Sequence, residues 1–260
     1  MKTVFYAWLT DDFKNTIIDF DNFEKSFKHF HPDIDLVVFD TADIKKLFAE
    51  KPWLNHCNCK ASFAKLLYND YDLVVNVDAD FYFFDRLTEL LEVDYDIAAC
   101  ANFNVINNNV DIAGGELNGL PIPTVDHPVY IQGGLIASPS KKFWDQYEEY
   151  SRILSDDMRI KENDVLNVIW HGGYGYNTKV LDGSTDFKSP DFKQYYNCAS
   201  LGREAQAVIK DGKVHLDDKV MRSYHVAHGN NGPQGIRKHR LNELFRPEVV
   251  NWFNSTVNKN

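Results

Sequence analysis

The run Leu73-Val74-Val75-Asn76-Val77 ends on Asp78-Ala79-Asp80 and continues straight into Phe81-Tyr82-Phe83-Phe84. A near-continuous apolar run of this length suits a strand buried on both faces, in the interior of a parallel sheet. Residues two apart in a strand point the same way, so the Asp78 and Asp80 carboxylates converge once the strand loosens into a loop. Two carboxylates at the end of a buried strand repel each other and resist desolvation unless a positive group lies between them. A hard divalent cation is the simplest such group, because it prefers oxygen ligands and accepts solvent or phosphate at its other positions. Asp-x-Asp alone is most often a turn or a solvated strand end. Two features set this one apart: it sits where open α/β sheets bind ligands, and aromatics rather than turn residues follow it.

The flanking pattern supports an α/β fold. Residues 3–9 read as an aromatic-rich strand, and Thr10-Asp11-Asp12 can cap a following helix through their side-chain oxygens. Phe13, Ile17, Phe20, Phe23, Phe27 and Phe30 recur every three or four residues, the period of an amphipathic helix. Asp35 to Asp40 reads as a strand, 42–50 as a short helix, and Ala61 to Tyr68 as the helix that leads into the Asp78 strand. Strands alternating with helices predict a doubly wound, mainly parallel sheet. Further along, Asp96 to Cys100 and Val129 to Ala137 read as strands, and Lys141 to Leu154 and Glu162 to His171 as helices. Residues 104–126 are rich in Asn, Gly and Pro and without period, and are expected to form a long loop near the active side. Short strands are expected within Tyr174 to Asp182 and Ala205 to Leu216, the latter turning at Asp211-Gly212, and again from Arg222 to Ala227. No repeat or linker divides the 260 residues, a length that one large α/β domain accommodates.

The formal net charge is −10, and the only basic cluster is Arg237-Lys238-His239-Arg240, which argues against a nucleic-acid partner. No signal-peptide pattern and no apolar run of membrane-spanning length are visible. Cys57, Cys59, Cys100 and Cys198 read as free thiols in a reducing compartment, so a cytoplasmic location is expected.

Four further constellations bear on chemistry. Gln132-Gly133-Gly134 lies inside a strand, where glycines mark either a bulge or the close approach of a ligand. Glu162-Asn163-Asp164 opens a helix, where acidic residues also simply complement the dipole. His225 and His228 flank a strand end beside the Gly-rich stretch 229–235, and strand-end histidines make good metal ligands. Lys65 lies on the helix before the metal strand, where most lysines face solvent.

Taken in order, these pieces resemble the glycogenin-like, retaining branch of the GT-A fold glycosyltransferases, over about residues 3 to 230. Ala61-Ser62-Phe63-Ala64-Lys65-Leu66 followed by the Asp78-Ala79-Asp80 strand is similar to the family's small-Ser-aromatic-Ala-basic-Leu helix and its Asp-x-Asp. Val129-Tyr130-Ile131-Gln132-Gly133-Gly134 resembles its aromatic-Asn-x-Gly strand, and Glu162-Asn163-Asp164-Val165-Leu166-Asn167 its Asp-Gln-Asp-x-Leu-Asn helix start. The resemblance implies a Rossmann-like mixed sheet flanked by helices in one GT-A domain, with residues 1–100 as a nucleotide-binding half and 101–260 as an acceptor and sugar half. It implies transfer of a sugar, of hexosyl type, from a nucleotide-sugar, usually a UDP-sugar, to a carbohydrate or other hydroxyl-bearing acceptor. Asp78, Asp80 and His225 would hold Mn²⁺ or Mg²⁺ on the diphosphate, with His228 the alternative third ligand. Tyr6, Ala7, Trp8, Thr10 and Asp12 would meet the nucleoside, and Lys65, Ala79 and Gly133 the phosphate or donor sugar. Gln132, Asn163 and Asp164 would stand near the reacting carbon.

The chain departs from the pattern at Gln132, Glu162 and Asn163, and lacks the family's basic-Pro-Trp ending. Two other functions compete. A sugar nucleotidyltransferase needs a Gly-rich, basic loop after the first strand, and Trp8-Leu9-Thr10-Asp11-Asp12 is not one. A catalytically inactive nucleotide-sugar or carbohydrate-binding protein on the same fold accounts for the altered helix start.

Overall fold

The computed structural model describes residues 1–12, 19–56, 58–101, 110–127, 129–154, 161–181, 194–195, 206–216, 219–226 and 240–258. In chain order the strands are β1 (Thr3–Trp8), β2 (Asp35–Phe39), β3 (Leu73–Val77), β4 (Phe81–Phe83), β5 (Ile97–Ala101), β6 (Val110–Ile112), β7 (Gly115–Leu117), β8 (Leu120–Ile122), β9 (Val125–His127), β10 (Ile131–Ser138), β11 (Thr178–Val180), β12 (Gln194–Tyr195), β13 (Val208–Lys210), β14 (Lys213–Leu216), β15 (Lys219–Met221) and β16 (Ser223–His225). The helices are α1 (Phe20–Phe30), α2 (Thr41–Glu50), α3 (Lys60–Lys65), α4 (Thr88–Leu91), α5 (Lys141–Leu154), α6 (Lys161–His171), α7 (Leu241–Leu244) and α8 (Pro247–Val257).

The Leu73–Val77 run is fully buried and lies inside a six-stranded sheet of order β11-β5-β10-β3-β1-β2. β1 runs parallel to β2 and β3, and β11 parallel to β5, while β10 is antiparallel to both β3 and β5. The result is a mixed, mainly parallel sheet in one domain. Its two faces are covered by separate apolar layers. One gathers Phe39, Phe63, Phe143, Trp144 and Tyr147 from the α2, α3 and α5 side. The other gathers Phe20, Phe23, Phe27 and Phe83 around α1. A strand with helices on both sides is apolar along nearly all its length, and the exception here, Asn76, is buried and turns its side-chain amide to the Gly133 carbonyl at 3.4 Å.

The pairing Tyr6↔Asn76 brings the C-terminal ends of β1 and β3 level, so Trp8 and Asp78 stand side by side at the same edge of the sheet. After Asp80 the chain leaves the sheet as β4, which pairs with β16 in the register His225↔Phe81. That pairing carries His225 back to the two aspartates. A third apolar group, built from Tyr82, Phe84, Met221, Tyr224, Phe245 and Phe253, holds β4 and β16 against α7 and α8.

The stretch expected to be a structureless loop is ordered in its described part. β6 pairs with β9 and β7 with β8, all antiparallel. Asn118 and Gly119, at φ 51° and 82°, make the two-residue turn between β7 and β8. Positive φ at both central residues belongs to the primed hairpin turn that Asn-Gly favours. Asp211-Gly212 turns β13 into β14 in the same way, at φ 52° and 72°. The helix expected from residue 13 is described only from Phe20 onward, and α3 closes at Lys65 rather than Tyr68. Cys59 and Cys100 are buried, while Cys57, Cys198, His228, residues 229–235 and Arg237-Lys238-His239 lie outside the described residues. Among the described residues no helix is long and apolar enough to cross a membrane.

Candidate metal centre

Asp78, Asp80 and His225 each present a ligand atom within 4.8 Å of the others. His225 Nε2 lies 3.2 Å from Asp80 Oδ1 and 3.6 Å from Asp78 Oδ2. The backbone fixes this convergence, because Asp78 N–H donates to the Gly134 carbonyl at 2.9 Å and Val226 N–H donates to the Asp80 carbonyl at 3.0 Å. The imidazole stacks on Phe81 at 4.6 Å between ring centroids and 14° between planes. Burial pushes the pKa of His225 down, but the fields of Asp80 and then Asp78 outweigh it and hold the ring above its ordinary value. Two carboxylates and an imidazole converging at a half-open strand end are a donor set that fits Mn²⁺ or Mg²⁺.

Lys60 is the residue that sequence reasoning missed. It opens α3 and is 4% exposed. Its amine donates to Asp78 Oδ1 and to the Gly133 carbonyl, both at 2.8 Å, and lies 3.4 Å from Glu162 Oε1. Asp78 is thereby divided: Oδ1 is held by the lysine, and Oδ2 faces His225. Burial works against the charged amine, yet Asp78 and Glu162 raise its pKa overall. The signal was available in the sequence, since Lys60 leads Ala61-Ser62-Phe63-Ala64, every one of them buried. A lysine inside such a run needs an acidic partner.

Lys65, expected on phosphate, is turned elsewhere. Its amine lies 2.8 Å from both Asp145 Oδ1 and Glu148 Oε2 of α5. Five residues of helix turn through about 500°, so the two lysines of α3 point to faces roughly 140° apart.

Gln132, Gly133 and the start of α6 adjoin Lys60 and His225. Gly133 N–H donates to Asn163 Oδ1 at 3.0 Å, and a Cβ at Gly133 would meet that oxygen at 2.6 Å. Tyr130 donates its hydroxyl to Asp164 Oδ1 at 2.8 Å. Asn167 ties α6 to β10 by accepting from Ile131 N–H and donating to the Ile131 carbonyl, each at 2.8 Å. Gln132 Oε1 accepts from Gly134 N–H at 2.8 Å, and its Nε2 lies 3.2 Å from His225 Nδ1. Glu162 is buried, its Oε2 has no hydrogen-bond partner among the described residues, and burial first, with Asp78 adding, pushes its pKa up to about 7 against the opposing pull of Lys60.

The residues expected at the nucleoside divide by depth. Tyr6 and Ala7 are fully buried, and the Tyr6 hydroxyl donates to the Lys60 carbonyl at 2.7 Å, bracing α3 from below. Trp8 is half-buried and stacks on His56 at 5.4 Å. Thr10 is half-buried and Asp12 exposed. Ala79, between the aspartates, is 5% exposed.

No protein-family profile matches the chain, and no curated protein does. Solved structures do. An active-site variant of LgtC superposes with a TM-score of 0.54 at 16% identity, covering 98% of this chain and 95% of that one. The galactosyltransferase LgtC in complex with donor and acceptor sugar analogues gives 0.53 at 16%, with the same coverages of 98% and 95%. The apo form of the glycosyltransferase GlyE from Streptococcus pneumoniae TIGR4 gives 0.53 at 13%, covering all of this chain and 63% of that one. At these identities the likeness is one of fold: the chain has the GT-A fold of glycosyltransferases.

Proposed function

We propose that the protein is a metal-dependent glycosyltransferase that moves a hexosyl group from a nucleotide-sugar, a UDP-sugar first among them, to a hydroxyl-bearing acceptor such as a carbohydrate. The observation that carries this reading is the convergence of Asp78, Asp80 and His225 at the C-terminal edge of the sheet, in a fold shared with sugar transferases. A divalent cation held there, Mn²⁺ or Mg²⁺, would neutralise the donor diphosphate and stabilise charge on the departing nucleotide. Lys60 orients Asp78 for that cation. Trp8, Thr10 and Asp12 stand where the nucleoside would lie, at the end of β1. Gly133 carries no side chain, and its neighbour Asn163 is anchored through Oδ1, which leaves the amide nitrogen for a sugar hydroxyl. Asp164, held by Tyr130, supplies negative charge close by. Residues 1–100 would thus serve the nucleotide and 101–260 the sugar and acceptor. Retention of configuration follows the glycogenin-like resemblance of the Glu162-Asn163-Asp164 helix start.

The test is nucleotide release from a panel of sugar nucleotides with Mn²⁺ and with EDTA, on the wild type and on Asp80→Asn. The expected result is cation-dependent release from one donor, reduced at least a hundredfold in the variant while the unfolding midpoint is kept. Nucleotide binding without turnover in the presence of any acceptor sugar would favour a binding protein on this fold. Unchanged turnover in Asp80→Asn would remove the cation from the reaction.

A further inference from the structure

Gln132 is expected from the sequence to meet the sugar, yet both ends of its amide are engaged beside the metal centre. Oε1 accepts from Gly134 N–H at 2.8 Å, and Nε2 stands 3.2 Å from His225 Nδ1. In that arrangement Nδ1 is the acceptor, and the ring hydrogen of a neutral His225 sits on Nε2, facing Asp80 at 3.2 Å. A ring in this form has no lone pair to offer a cation between the aspartates. To bind one through Nε2, the imidazole must carry its hydrogen on Nδ1, and the group facing Nδ1 must then accept.

The surroundings leave few other ways to make the change. His225 is 3% exposed and stacked on Phe81. A Cβ at Gly134 would lie 2.6 Å from His225 Cε1 and 2.8 Å from both His225 Nδ1 and Gln132 Oε1. The ring therefore has backbone against its edge and an aromatic ring against its face, and it cannot turn over without displacing them. The Gln132 amide is the element that can move. A modest rotation brings Oε1 toward Nδ1, and a carbonyl oxygen has two lone pairs, enough for Gly134 N–H and His225 Nδ1–H together.

We propose that Gln132 is a positioning residue for the metal centre: braced by Gly134 N–H and set against His225 Nδ1, its side-chain amide turns its oxygen to that nitrogen and presents His225 in the form that ligates a cation through Nε2. This rests on the cation reading of Asp78, Asp80 and His225. The role needs an oxygen acceptor at residue 132 and is indifferent to the donor sugar.

Mn²⁺ alone is titrated into the intact chain by electron paramagnetic resonance, for the wild type, Gln132→Met and Gln132→Glu. Methionine fills a similar volume without an acceptor, and its Kd for Mn²⁺ is expected to rise about tenfold or more. A glutamate carboxylate accepts from both neighbours without rotating, so its Kd is expected to fall below that of the wild type. Opposite shifts from two variants of similar size are not what a merely structural residue produces. A second readout is the ¹⁵N spectrum of the His225 ring with Zn²⁺ as a diamagnetic ion, where the bound wild type is expected to carry the ring hydrogen on Nδ1. Equal Mn²⁺ affinity in all three proteins, with a raised donor KM in Gln132→Met, would overturn the proposal and return Gln132 to the sugar. Failure of the wild type to bind Mn²⁺ or Zn²⁺ at all would instead overturn the cation reading, and this inference with it.

Discussion

The two ends of α3 lead into two charged clusters that look alike on a count of ion pairs and differ in charge balance. At the Lys65 end, Lys51 and Lys65 meet Asp145 and Glu148, with the Ser62 hydroxyl donating to Glu148 as well. Two lysines face two carboxylates, and the cluster closes on itself, fastening α3 to α5. At the Lys60 end, a single lysine faces Asp78 and Glu162, with Asp80 just beyond. Asp78, Asp80 and Glu162 face Lys60 and the imidazole of His225, so this cluster is balanced only where His225 is charged or Glu162 keeps its proton. The first cluster is complete without a ligand; the second calls for a cation. Buried ion pairs alone are weak evidence of either stability or function, and a balance that depends on protonation is what separates a fastening from a site.

The two glutamates register the same contrast. Burial pushes Glu148 up, but hydrogen bonds from Lys51, Lys65 and Ser62 outweigh it and hold the carboxyl below its ordinary value. Burial pushes Glu162 up to about 7, and the single amine of Lys60 does not offset it. The first glutamate is stabilised as a charge by its surroundings and the second is not.

The strongest way to break the comparison is Lys60→Met. It leaves the Asp78 and Glu162 carboxylates without their buried counter-charge, a loss of roughly 3–5 kcal/mol for a broken buried pair. Urea unfolding at neutral pH measures it, and added Mn²⁺ should restore part of the stability by replacing the lost positive charge. A loss below about 1 kcal/mol would mean that the amine is solvated rather than committed to Asp78.

The next test sharpens the comparison through pH. The folded-state pKa of Glu162 is raised from 4.5 to about 7, so the unfolded chain releases this proton first as pH rises. Its contribution to stability is full below about 4.5, declines across the window up to about 7, and is flat above. Glu162→Gln does not titrate, so its stability relative to wild type should rise across that window by about 1–3 kcal/mol. Glu148 works in the opposite direction. Its folded pKa is lowered, so its contribution is present above the ordinary glutamate range and lost as pH falls through the folded value. Glu148→Gln should therefore be least harmful in acid. Parallel stability profiles for the two variants between pH 4 and 8 would refute the contrast.

How much of this was legible in the sequence depends on the span of the signal. The β3 run, its two aspartates and the α6 start are local patterns, and each appears where its period and end residues put it. His225 was legible as a strand-end histidine, although the device that brings it to Asp80 is the β4–β16 pairing, a contact between segments far apart in the chain. Asn118-Gly119 is a hairpin signal inside a stretch read as loop, overlooked because three-residue strands are too short to show alternation. Lys60 was lost for a different reason. The family-like motif drew attention to Lys65, while which lysine faces the sheet end depends on the rotation of α3 about its axis. That rotation is set by Phe63 against Phe39 and by Tyr6 beneath the Lys60 carbonyl, and neither partner is adjacent in sequence.

The smallest effect belongs to Lys65→Ala, and it isolates the two clusters from one another. Removing this amine leaves Glu148 with Lys51 and Ser62, and Asp145 is half-exposed, with water to replace the lost partner. An exposed or half-exposed pair contributes about 0.2–1 kcal/mol, and less at high salt. The unfolding free energy should fall within that range at low ionic strength and approach wild type in 1 M salt. The donor KM should stay within about twofold of wild type, because the residue faces α5 and not the sheet end. A large rise in KM with unchanged stability would mean that Lys65 leaves its carboxylates for the donor phosphate. The balanced cluster would then be a store of charge for the site, and the division between fastening and site would fail at α3 itself.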